Sequence, residues 1–119
     1  MRAVVRRFHS PDIPDLETWM PDDPSFGLLV QVLVGPESGD GEETFDFLVC
    51  SPDWLVEKHG RQAVILGRHH ILLFEYDFGK VRQAIERIVS EAHGNDWLEV
   101  AGIISRHGRW EFEDYQDGA

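Results

Sequence analysis

From residue 26 to residue 34 the chain reads Phe-Gly-Leu-Leu-Val-Gln-Val-Leu-Val, nine positions of which only Gln31 is polar. An apolar run this continuous predicts a central strand covered on both faces. Over 44–50 the pattern changes to alternation, Phe45, Phe47 and Val49 against Thr44, Asp46 and Leu48, which is the period of a strand. The turn-rich stretch Gly35-Pro36-Glu37-Ser38-Gly39-Asp40-Gly41 lies between them, so the pair reads as a hairpin. Upstream, residues 2–8 read as a first strand, with Ala3, Val5 and Arg7 on one face and Val4, Arg6 and Phe8 on the other. Residues 9–24 hold four prolines and four aspartates, breakers dense enough to predict a long ordered loop, pinned by Leu16, Trp19 and Met20.

Three helices follow from period and caps. Ser51 is a good N-cap and Pro52 suits the first helical position, so 51–60 reads as a short helix anchored by Trp54 and Leu55 and closed by Gly60. After Asp77, the residues Val81, Ala84, Ile85, Ile88, Val89 and Ala92 recur at three- and four-residue spacing and form one stripe facing the sheet. Asp96-Trp97-Leu98-Glu99 resembles a capping box opening a third helix that buries Trp97, Val100, Ala101 and Ile104 before stopping near Gly108. Residues 62–66 and 70–76 read as strands joined around Gly67-Arg68, and 110–115 as a last strand of alternating aromatic and acidic residues. The sum is an α+β fold: one domain over 1–119, a mainly antiparallel sheet with about three helices packed on it.

At 119 residues the chain has room for one core. Its 22 acidic against 11 basic residues give a formal charge of −11, which repels a phosphate backbone and argues against direct nucleic-acid binding. The acids gather in 12–23, 37–46 and 111–117, a field that attracts a basic partner and also promotes solubility. No apolar run reaches membrane-span length, and the start, Met-Arg-Ala-Val-Val-Arg-Arg-Phe-His, lacks the apolar stretch of a signal peptide, so the cytoplasm is the expected compartment. One cysteine excludes an internal disulfide.

Chemistry-bearing residues are few. Cys50 stands where a strand meets a helix N-terminus, a place that can lower a thiol pKa, and His69 or His70 is a conceivable base. The commoner reading of such a cysteine is a small buried apolar residue. His69-His70 with Glu75 lacks zinc-motif spacing, and neighbours on a strand point to opposite faces, so no metal or cofactor is expected. Glu111 and Glu113 would share one face of the last strand, beside Trp110, Phe112 and Tyr115. Acids among aromatics suit either a solvated edge or a protein interface.

Four stretches together resemble the immunity protein 8 family of bacterial polymorphic toxin systems. They are His9-Ser10-Pro11-Asp12, Pro24-Ser25-Phe26-Gly27 with the strand ending Gly35-Pro36, Phe45-Asp46-Phe47-Leu48-Val49-Cys50-Ser51-Pro52-Asp53-Trp54-Leu55, and Gly67-Arg68-His69-His70, with Trp110-Glu111-Phe112 near the end. The strand-Cys-Ser-Pro-x-Trp-Leu piece is the most specific. The resemblance implies a non-enzymatic cytoplasmic protein that binds a cognate toxin domain and blocks it, with no catalytic residue to carry over. A nuclease is one toxin whose basic groove would be drawn to this charge. Charge and aromatic character select Asp46, Glu111, Glu113, Asp114 and Tyr115 as the expected partner contacts, with Trp19 as an outlier. The alternative is a small ligand-binding domain or enzyme using Cys50, His69 and His70.

Overall fold

The apolar run and its alternating neighbour pair as expected. In the computed structural model, which describes residues 1–113, β2 (Gly27–Pro36) and β3 (Glu43–Cys50) form an antiparallel hairpin, Leu28 opposite Val49 and Val34 opposite Glu43. Gly41 has φ +101°, a backbone conformation that a side chain disfavours, so the turn needs glycine there. β1 (Ala3–His9) pairs antiparallel with β2, and α1 (Pro52–His59) then carries the chain over to β4 (His70–Leu72), which lies parallel to β3. α2 (Phe78–Glu91) and α3 (Trp97–Ile104) precede β5 (Arg109–Trp110), antiparallel to the other end of β3. Among the described residues the result is a five-stranded mixed sheet in the order β1-β2-β3-β4, with β5 also on β3, and three helices: an α+β fold.

Strand parity assigns the faces. Leu28, Val30, Val32 and Val34 stand opposite Val49, Phe47, Phe45 and Glu43, so these residues share one face, and the apolar ones join Phe78, Val81, Ile85 and Val89 of α2 and Val100, Ala101 and Ile104 of α3 in the core. The other face of β2 is only half-buried at Leu29, Gln31 and Leu33, so the expected cover on both faces is corrected to cover on one.

The remaining departures are local. In β1 the register slips between Val5 and Arg7, a bulge at Arg6 that turns Phe8 onto the same face as Ala3 and Val5 rather than the opposite one. The freed Arg6 Nη2 donates to the carbonyls of Pro36 and Gly39, both at 2.7 Å, and so ties the β2–β3 turn. Residues 62–66 form no strand, and the predicted second hairpin is absent. Only His70–Leu72 of that region joins the sheet, and it does so in parallel. The last strand stops at Trp110 because Glu111 Oε1 accepts the Thr44 N–H at 2.8 Å, a side chain taking a ladder donor, while Glu113 N–H turns back to the Trp110 carbonyl. The loop between β1 and β2 is held by buried Leu16 and half-buried Trp19, whereas Met20 is exposed and pins nothing.

Candidate protein-binding surface

Because α2 and α3 cover one face only, the opposite face of the sheet has no helix over its middle among the described residues. Register places Arg7, Leu33 and Thr44 in one row across the strands, His9, Gln31, Asp46 and Arg109 in the next, and Leu29, Leu48 and His70 in a third. The six β2 and β3 residues among these are half-buried, and no helix among the described residues covers them. At the far end of the face Trp54 of α1 lies over Gly27, where a Cβ would collide with the indole. Leu72 stands at the rim, 54% exposed.

Asp46 sits at the centre of this face. Its Oδ1 is buried and has no hydrogen-bond partner among the described residues, and Arg109, directly opposite in register, makes no ion pair with it there. Glu111 and Glu113 lie near the same end of β3, but their carboxylates are engaged internally: Glu111 on the Thr44 amide, Glu113 on Arg68 Nη2 at 3.0 Å with His69 Nε2 at 3.6 Å. They stand in a turn, so they are not two outward residues of one strand. Trp19 packs edge-on against Tyr76, beside Trp54 at the Gly27 end of the sheet. The length of β3, roughly 20 Å, separates Trp19 from Glu111. Asp114 and Tyr115 lie outside the described residues. The structure thus brings Asp46, Glu111 and Glu113 to one region and leaves Trp19 apart.

Beside them is an acceptor that sequence reading missed. Glu43 Oε1 takes the indole N–H groups of both Trp97 and Trp110, at 2.7 and 2.9 Å, and so fixes the start of α3 and β5 against the sheet. Trp110 stacks on Phe45 as part of the core, so it is not a free aromatic anchor. A second overlooked surface lies along 58–74. Val64, Ile65, Leu66, Leu72 and Phe74 are exposed, and this stretch carries Lys58, Arg61 and Arg68 with no acidic residue, in a chain holding 22 acids. The acid-free run between Glu57 and Glu75 was the available signal.

The nucleophile and metal readings find little geometry. Cys50 is fully buried, and burial pushes its thiol pKa up, the reverse of activation. His69 Nε2 lies 3.1 Å from the Ser105 carbonyl and His70 Nδ1 2.7 Å from that of Arg68, so each imidazole is tied to backbone. Among the described residues no three His, Cys, Asp or Glu side chains gather as a metal site, and no helix is long and apolar enough to cross a membrane.

A family model described as Immunity protein 8 matches residues 3–115 of the 119. The chain belongs to the immunity protein 8 family. No curated protein and no solved structure gives a match. In this immunity protein 8 member the matched span takes in the whole sheet and all three helices, so the family relationship concerns the complete fold and not one motif. The strand-Cys-Ser-Pro-x-Trp-Leu stretch is structural: Ser51 Oγ accepts from the N–H groups of Phe26 and Trp54, Cys50 is core, and Trp54 closes on Gly27.

Proposed function

We propose that this chain is the immunity component of a bacterial polymorphic toxin system, neutralising a cognate toxin domain in the cytoplasm by binding it, without chemistry of its own. The observation that carries the reading is membership of the immunity protein 8 family over residues 3–115. The buried thiol and the backbone-tied histidines supply no argument for catalysis. The formal charge of −11 suits a basic partner, which makes a nuclease domain the proposed toxin. Asp46, Glu111 and Glu113, with Asp114 and Tyr115 following them in sequence, are the proposed contacts, and Trp19 is a separate, outlying one.

Co-expression tests this. Cells producing the toxin domain encoded beside this chain should grow when the chain is present, and the two proteins should copurify. Growth rescue without a recoverable complex would instead point to enzymatic reversal of the damage, and no rescue at all would remove the immunity role.

A further inference from the structure

Large apolar side chains left in water together commonly mark an interaction site. Phe74, 85% exposed, and Met20, 72% exposed, line the mouth of one cleft, with buried Phe26 and half-buried Tyr76 deeper in it. Two further hollows adjoin this cleft across residues 21–25, one reaching Trp54 and Lys58, the other Asp53 and Val56, and all three share Asp23. Val56 is itself 70% exposed. The loop between the hollows is held in place. Asp23 Oδ1 accepts the Ser25 N–H at 2.7 Å, Ser25 Oγ donates to Glu57 Oε2 at 2.8 Å, and Pro21 and Pro24 restrict the backbone. A surface already ordered loses little freedom when a partner lands on it.

Charge here is local and almost of one sign. Asp22, Asp23, Asp53, Glu57 and Glu75 are all exposed among these apolar groups, and of the described residues lining the three hollows only Lys58 is basic. The carboxylates of Asp22, Asp53 and Glu75 receive no donor among the described residues, unlike those of Glu111 and Glu113. We infer that this end of the molecule, around Met20, Val56 and Phe74, is the docking surface for the toxin domain, and that the toxin inserts an apolar side chain between Met20 and Phe74 with lysines or arginines flanking it. This rests on the immunity reading above, and it puts the contact around Trp19 rather than at the Glu111 end of β3. Burial of the exposed apolar groups supplies affinity, while Glu75 on one side and Asp53 and Glu57 on the other select a cationic surround. A second copy could offer only its acid-free 58–68 stretch, with Arg61, Arg68 and exposed Val64 and Leu66, and that contact is head-to-tail and does not close.

The probe is the catalytically inactivated toxin domain encoded beside this chain, titrated into the purified full-length protein. Phe74→Ser removes an exposed ring and should weaken binding about 10- to 100-fold without lowering the melting temperature. Glu75→Lys reverses one charge at the cleft and should weaken binding about tenfold, chiefly through slower association at low salt. Glu86→Gln, exposed on α2, should change neither affinity nor rate. Amide shift mapping on the unmodified protein needs no variant, and the perturbed signals should centre on Met20, Asp23, Ser25, Val56, Phe74 and Glu75. Wild-type affinity in both cleft variants, or perturbations confined to residues 43–50 and 109–113, would overturn the inference while leaving intact the immunity role, which co-expression reads separately. Self-association of the unmodified chain on sizing, abolished by Phe74→Ser, would also overturn it by giving the surface to a second copy. Absence of any complex with the unmodified protein would remove both.

Discussion

Glu43 shows how much one side chain can organise. A single carboxylate oxygen receives two indole N–H groups from elements 54 and 67 residues away. Glu43→Ala leaves both half-buried donors without an acceptor and should cost about 2–3 kcal/mol in urea unfolding, with Glu43→Gln, which keeps an oxygen, costing about half as much. Ser51 has a similar double role, so Ser51→Ala should cost about 1–2 kcal/mol by the same measurement. Tyr76 adds a pH dependence. Burial first, and then the neighbouring Asp77 charge, push its pKa up to about 12 from an ordinary value near 10. The folded state therefore holds this proton more tightly than the unfolded one. Its contribution is fully present below pH ~10 and is lost as pH rises towards ~12. An alkaline melting series should steepen across that window, and Tyr76→Phe should remove the extra slope. At Cys50 the raised thiol pKa and complete burial predict no alkylation in the native protein and full alkylation in denaturant. A Cys50→Ala variant should still neutralise the toxin.

At the scale of elements, the helices were legible because their signals are local. Ser51, Asp77 and Asp96 each cap a helix with a side-chain oxygen, and the stripe of α2 follows directly from spacing. Strands depend on partners, and there the reading was less complete. Val64, Ile65 and Leu66 have strand-like composition, but no ladder receives them, and Val64 and Leu66 are 73% and 83% exposed. The bulge at Arg6 left no mark in the pattern, yet it decides which face holds Phe8. Length alone could not show that β5 ends at Trp110, since a glutamate side chain interrupts the ladder. The contact between Gly27 and Trp54 likewise needed coordinates. Because no side chain fits under the indole, Gly27→Ala should destabilise by about 1–3 kcal/mol in urea unfolding, with α1 displaced from the sheet end in the amide spectrum.

The molecule measures 43 × 34 × 23 Å, and the short dimension fits one sheet with α2 and α3 layered on one face and, among the described residues, only one end of the other face covered, by Trp54 of α1. This two-layer build, which the order of elements already implied, is what leaves a sheet face open. Which face the helices would cover, and that Asp46 Oδ1 would be buried there with no partner among the described residues, was not legible, because strand parity fixes who shares a face but not where the helices go. Charge selected Asp46, but it also selected Glu111 and Glu113, whose carboxylates the fold uses internally. The family was legible through sequence pattern and not through chemistry, as befits a protein whose proposed work is to occupy a surface. The central claim, neutralisation by binding, is tested most directly by titrating the purified toxin domain's activity with this chain. Activity should fall linearly to an end point at one chain per toxin, with both proteins recovered unaltered. Complete inhibition at far less than one equivalent, or covalent change in the toxin or its target, would contradict the account.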